Sequence, residues 1–144
     1  MKRIVRCVCL VLTMTLLVAI PTFAAETRSS RFFTSSIACL DQPYANGRAI
    51  HVIFDVLATR IMDELGVNYI KVQQSADGEN WTTVKTFTKA EYINLIGTNT
   101  GNHSGYVIYN GTKGYYYRAY MELYAKDDTG TGIMSRYTGS MLLS

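Results

Sequence analysis

The sequence predicts an all-β fold: an antiparallel sandwich of about seven strands with one or two short helical turns. Three stretches carry that expectation. Residues 69–88, YIKVQQSADGENWTTVKTFT, read as a hairpin. Ile70 and Val72 alternate with Lys71 and Gln73, Asp77-Gly78 breaks the run, and Trp81, Val84 and Phe87 follow among threonines. Gly takes the positive φ that a tight turn needs, and Asp bonds a backbone N–H two residues on. Trp81 and Val84 are three residues apart, so a period of two cannot put both on one face, and a bulge is expected there. In residues 48–58, Ile50, Val52, Phe54, Val56 and Ala58 share one face. Ala49, His51, Ile53, Asp55 and Leu57 share the other, which is half apolar and predicts partial cover. Residues 113–126 form the longest expected strand. There Tyr115, Tyr117, Ala119, Met121, Leu123 and Ala125 face one way, and Tyr116, Arg118, Tyr120, Glu122, Tyr124 and Lys126 the other. Every charge lies in the second set, so one face is buried and one wet.

The remaining elements follow in chain order. Residues 1–25 read as a cleaved export signal. Lys2, Arg3 and Arg6 form a basic start, and residues 7–20 are apolar apart from two threonines, too short a run to span a bilayer comfortably. Pro21 ends the run, and Thr22 and Ala24 place small residues at the −3 and −1 positions of a cleavage site, so processing is expected after Ala24 or Ala25. Residues 26–31 are a polar lead-in, and residues 32–144 the single sandwich domain. Residues 32–40 form a first strand, and Pro43 with Asn46-Gly47 marks a turn-rich connection. Residues 59–66, TRIMDELG, read as one helical turn stopped by Gly66. Thr88-Lys89-Ala90-Glu91 has the form of a capping box, and the apolar spacing after it predicts a short helix over 89–96. Residues 98–104 read as a polar loop, 106–109 as a short strand turned by Asn110-Gly111, 127–132 as a loop and 133–143 as the closing strand.

Charge excludes one class of partner. The chain carries 14 Lys+Arg against 11 Asp+Glu, but three of the basic residues and none of the acidic ones lie in residues 1–25. What remains is balanced, 11 against 11, with no basic stripe for nucleic acid to grip. With Cys7 and Cys9 in the signal, Cys39 stands alone. A lone cysteine makes no internal disulfide and is expected to be a buried, small apolar residue.

Two resemblances follow from these residues. The run from Gly114 to Tyr120, GYYYRAY, resembles the sixth strand of fibronectin type III-like domains. Tyr117 takes the place of their corner tyrosine, and Gly111 stands where they carry a leucine. Residues 75–81 are similar to the hairpin of those domains and of discoidin-like carbohydrate- or lipid-binding sandwiches. Residues 50–137 resemble a family of small secreted proteins of unknown function from Gram-positive, gut-type bacteria. The matching pieces are Ala58-Thr59, Met62-Asp63, Gly66 with Ile70, the Trp81 hairpin, His103-Ser104-Gly105, and Tyr117-Arg118-Ala119 through Tyr124-Ala125. The resemblance implies a secreted, immunoglobulin/fibronectin type III-like sandwich and carries no activity with it.

Catalytic signals are thin. The sequence holds no nucleophile elbow, no phosphate-cradling glycine loop and no Cys/His cluster, so neither a cofactor nor a metal is expected. Asp77-Gly78-Glu79-Asn80 and Asp127-Asp128-Thr129-Gly130 offer oxygens to a calcium ion, but turn chemistry accounts for both. The expected function is a secreted, non-catalytic binding module acting on a protein or glycan partner, meeting a membrane only during export. The alternatives are a discoidin-like carbohydrate-binding module and, behind it, a small secreted enzyme. The candidate surface is the wet face of the long strand. Tyr116, Tyr120 and Tyr124 repeat every four residues there, with Arg118 and Glu122 between them, and Tyr69, Lys71 and Gln73 of the hairpin are expected beside them. Tyrosine joins a large apolar ring to a hydroxyl, which suits sugars and protein partners. Exposed aromatics are ordinary on sheets, so plain cover of the sheet is the first expectation for this row and a binding site the second.

Overall fold

The computed structural model describes residues 31–45 and 47–144. The expected export signal and most of the polar lead-in lie outside the described residues. Among these residues seven strands follow one another: β1 (Phe33–Asp41), β2 (Ala49–Ser75), β3 (Thr82–Thr88), β4 (Ile96–Asn110), β5 (Tyr116–Asp127), β6 (Gly130–Tyr137) and β7 (Met141–Leu142). A single 3₁₀ turn, Ile93–Leu95, precedes β4. All pairings are antiparallel and belong to one sheet of order β1-β2-β5-β6, with β3 and β4 on β2 and β7 on β5.

β2 is the axle of this sheet. Its first half pairs with β1 on one side and β4 on the other; its second half pairs with β5 on one side and mainly β3 on the other. The alternation expected for residues 50–58 holds, with Ile50, Val52, Phe54, Val56 and Ala58 all buried. The expected inner set of β5 holds from Tyr117 to Ala125, while Tyr115 at the strand's foot is exposed. These two sets meet in one core because the sheet curls into a half-barrel. β6 closes back on β1: Arg136 Nε donates to Ser36 Oγ at 2.9 Å, and a Cβ on Gly132 would lie 2.5 Å from the Phe32 ring.

Three expectations are corrected. Residues 59–66 do not form a helical turn; β2 runs straight through them. Residues 58–61 of β2 oppose only Gly101 of β4, a bulge that breaks the alternation ahead of Met62. Gly66 is no helix cap. It sits at φ +151°, and a Cβ there would lie 2.0 Å from the carbonyl oxygen of Leu95. The helix expected over 89–96 shrinks to a turn. Thr88 O accepts from Glu91 N and Tyr92 N, and the chain then enters β4 at Ile96, opposite Gly66. Residues 98–104 lie within β4 rather than in a loop. Polar side chains suit the wet side of a sheet, and the pairing with β2 overrides their low strand propensity.

The hairpin matches its expectation closely. Val72 pairs with Lys85 and Gln73 with Thr83, so Val84 is the bulged residue between the strands' two registers. Ser75 Oγ accepts from Gly78 N, and Asp77 Oδ1 accepts from Glu79 N and Asn80 N, at 2.8–2.9 Å, closing the turn with Gly78 at φ +77°. Tyr117 is fully buried, and its hydroxyl accepts from Thr112 N at 2.7 Å while donating to Thr112 O at 3.3 Å. Cys39 is free and half-buried on β1, not buried as expected, because its side chain belongs to the outer parity of that strand.

Candidate functional site

The second half of β2, with β5 and β6, carries the aromatic face. A bulge at Asn68, between Val67 and Tyr69, resets the parity of β2. Val67 and Ile70 both point into the core, and Tyr69 turns outward. Register then fixes the neighbours. Tyr69 stands opposite Glu122, Lys71 opposite Tyr120, and Gln73 opposite Arg118; on the far side Tyr137 stands opposite Tyr120 and Ser135 opposite Glu122.

Arg118 is the centre of this face. Its guanidinium lies 4.3 Å from the centroid of the Trp81 ring and 5.0 Å from that of Tyr137, and its Nε donates to Gln73 Oε1 at 2.8 Å. Rings continue from there: Tyr137 to Tyr120 at 4.9 Å, and Tyr120 to Tyr69 at 6.0 Å. Lys71 Nζ ends the chain 5.1 Å from the Tyr69 ring. Hydrogen bonds pin the tips. Tyr120 shares one with Ser135 at 2.8 Å, and Glu122 accepts from Asn68 Nδ2 at 2.9 Å and from Tyr69 at 3.1 Å. Burial, then hydrogen bonding to Tyr120 and Glu122, pushes the Tyr69 hydroxyl well above the usual phenol range, so it stays a donor. Stacking and hydrogen bonds together leave these side chains little freedom to lose when a ligand arrives.

Of the residues expected at the site, Tyr69, Arg118 and Tyr120 come together. Tyr116 and Tyr124 mark its two ends. The turn closes over Tyr116, where a Cβ on Gly78 would lie 3.8 Å from the ring. Lys89 Nζ sits 3.8 Å from the Tyr124 centroid, and burial, followed by the Glu64 charge, raises the Tyr124 hydroxyl. Sequence reasoning missed Tyr137 and gave Trp81 no place on this face. Trp81 is half-buried and stands outside the core, against Arg118. Its odd spacing from Val84 was the available signal; nothing local marked Tyr137. Full burial of Trp81 would imply a Trp81→Ala cost of about 3–5 kcal/mol. Partial burial and one cation–π contact imply about 1–2 kcal/mol instead, read from the denaturation midpoint.

Around the end of the hairpin, Gln74, Ser75, Asn80, Thr82, Val84 and Tyr115 line a shallow cavity of about 270 Å³. Gln74 and Thr82 pair on the inner parity of the strands, so this hollow opens away from Arg118. The two acidic loops are occupied by their own turns. Asp77 also accepts from Ser75 Oγ and Asn80 Nδ2, both at 2.7 Å, and the bond from the Asn80 backbone leads in holding its carboxyl well below the usual range. Asp127 Oδ1 accepts from Thr129 N and Thr129 Oγ1 at 2.8 and 2.6 Å, and its Oδ2 from Arg60 Nε at 2.7 Å. The Thr129 hydroxyl, then Arg60, lower Asp127 from 3.8 to about 2. No group of three or more His, Cys, Asp or Glu among the described residues could hold a metal ion.

A pH dependence follows from these carboxylates. Both are depressed in the folded chain, so their stabilisation is complete above the unfolded value near 3.8 and is lost as pH falls toward 2. The melting temperature should be insensitive to these two groups from pH 7 to about 5 and fall below about 4. Asp127→Asn should lower the neutral-pH melt and reduce the acid-induced drop; an unchanged pH profile would show that Asp127 does not contribute.

No protein-family model matches the sequence, and no curated protein matches it. Among solved structures the chain is similar to that of Spo0M, a sporulation control protein from Bacillus subtilis, with 11% identity and a TM-score of 0.44. The likeness covers 76% of this chain and 49% of that one, so this chain spans about half of its length. No helix among the described residues is long and apolar enough to cross a membrane.

Proposed function

We propose that this chain is a secreted, non-catalytic binding module, an immunoglobulin/fibronectin type III-like sandwich that takes a glycan on its aromatic face. The observation that carries the reading is the stack of Trp81, Arg118 and Tyr137, continued by Tyr120 and Tyr69. Aromatic faces accept the C–H side of a sugar ring, and tyrosine hydroxyls, Arg118, Gln73 and Lys71 supply polar groups at its rim. Export is supported by the basic, apolar and small-residue order of residues 1–25 and by the resemblance to secreted Gram-positive proteins. The non-catalytic part rests on the sequence, which offers no nucleophile–base constellation.

Trp81 is the only tryptophan, so its fluorescence reports the site directly. Titration with soluble oligosaccharides from bacterial walls and from mucin should quench or shift that emission. Tyr137→Ser and Arg118→Ala should remove the response to the bound sugar while moving the melt little. A wild-type protein indifferent to every glycan fraction, or a Tyr137→Ser variant that binds as well as wild type, would sink the reading. Intact mass of the exported protein checks the other half: a chain beginning at Ala25 or Glu26 supports it, and one retaining Met1 ends it.

A further inference from the structure

The charges of the aromatic face are not balanced where its rings meet. At the far end Glu64 is answered twice, by Lys89 Nζ at 3.8 Å and by Lys126 Nζ at 3.7 Å. Glu122 accepts through both oxygens, from Asn68 and from Tyr69. The Asp77 carboxylate is taken up by its own turn, and Glu79 beside it is exposed. None of these carboxylates answers Arg118 or Lys71: among the described residues neither cation is in an ion pair. Both are half-buried all the same. A cation taken partly out of water without an anion costs free energy, and the rings against it offset only part of that cost.

The geometry at Arg118 narrows the class of anion. β3 pairs with β2 on the side away from β5, and β6 pairs with β5 on its other side. Trp81, just before β3, and Tyr137 of β6 therefore reach the guanidinium from opposite sides of β5. Its remaining donors lie in its own plane, between the two rings. Nε donates to Gln73 Oε1 at 2.8 Å, whereas Nη1 and Nη2 have no partner among the described residues. Two N–H groups along one planar edge match the two oxygens of a carboxylate. Tyr120 is two residues from Arg118 on the same face, about 7 Å along the strand, a distance that one acidic sugar bridges. Lys71, opposite Tyr120, sets a second positive charge beside that ring.

We infer that the glycan taken by this face is acidic: a sugar that carries a carboxylate, bound with the carboxylate on the Nη1–Nη2 edge of Arg118 and the sugar ring over Tyr120. The inference rests on the glycan reading of the face and adds the chemical class of the sugar. Sialic and uronic acids both carry the group, so the test takes each separately.

Calorimetric titration of the exported chain with matched probes decides it: 3′-sialyllactose against lactose, and trigalacturonic acid against its methyl ester. In at least one pair the acid should bind roughly tenfold tighter or more. That preference should shrink as salt rises toward about 1 M, where the Debye length falls to about 3 Å. Arg118→Lys keeps a charge and removes the planar fork, so it should weaken binding of the acid about fivefold or more, with a melting curve to show that the variant is folded. Lys71→Gln should weaken it by a smaller factor and reduce its salt dependence. Equal affinity for acid and neutral partner in both pairs, or acid binding that Arg118→Lys leaves intact, would overturn the inference while the glycan reading stands. A chain that ignores both pairs yet responds to the wall or mucin fractions would overturn it as well, whereas a chain that responds to no glycan at all fails on the glycan reading itself.

Discussion

Gly66→Ala should leave little folded protein. The residue sits at φ +151°, where an L side chain is strained, and its Cβ would fall 2.0 Å from the Leu95 carbonyl oxygen. That oxygen is backbone, so no rotamer change relieves the overlap. Either β2 or the turn before β4 must move, and both seat core residues, Leu65 and Leu95, that are fully buried. A loss above about 4 kcal/mol is expected, a large part of a domain's total of about 5–15 kcal/mol. Gly139→Ala is the control, since nothing lies within 4 Å of its Cβ position. Its denaturation midpoint should stay within about 0.5 kcal/mol of wild type. Gly66→Ala unfolding at a midpoint near that of the control would show that the close approach is absent in solution.

Tyr117 is the second site of large effect. Its ring is fully buried between the two halves of the curled sheet, 5.9 Å from Tyr109. Gly111 makes room for it: a Cβ there would lie 2.9 Å from Tyr117 Cζ, 2.7 Å from Leu143 Cδ2 and 3.0 Å from Ile50 Cδ1. Gly111 is therefore the one residue that fits beneath the ring. Tyr117→Ala should cost about 3–5 kcal/mol through the cavity it opens. Tyr117→Phe isolates the hydroxyl. It keeps the ring and leaves the Thr112 N–H without its 2.7 Å acceptor, at a cost of about 1–3 kcal/mol. Equal midpoints for Tyr117→Phe and wild type would mean that water replaces the hydroxyl freely at Thr112.

Inference from local pattern succeeded wherever one side of a strand had to be dry. The period of two in residues 50–58 and 117–125 named about half of the core, because burial acts on each residue separately and alternation records it. The turn at Asp77-Gly78 and the bulge at Val84 were also legible, since both are set by residues within a few positions of each other. The errors fell between those stretches. Residues 59–66 and 98–104 became strand through pairing with partners far along the chain, and nothing in their own composition records that pairing.

The candidate site divides along the same line. Sequence alone determined that Tyr116, Arg118, Tyr120, Glu122 and Tyr124 share one face of one strand, and that the hairpin strand offers Tyr69, Lys71 and Gln73. Tertiary structure decided which of them meet. The Asn68 bulge turned Tyr69 outward, the β2–β5 register set Gln73 against Arg118, and the β5–β6 register brought in Tyr137. The hairpin then laid Trp81 over the guanidinium and closed over Tyr116. Side-chain period is a property of one strand and can be read from its letters. Register between strands is settled by bulges and by the joint burial of residues from several of them, so it exists only once the sheet has curled around its core.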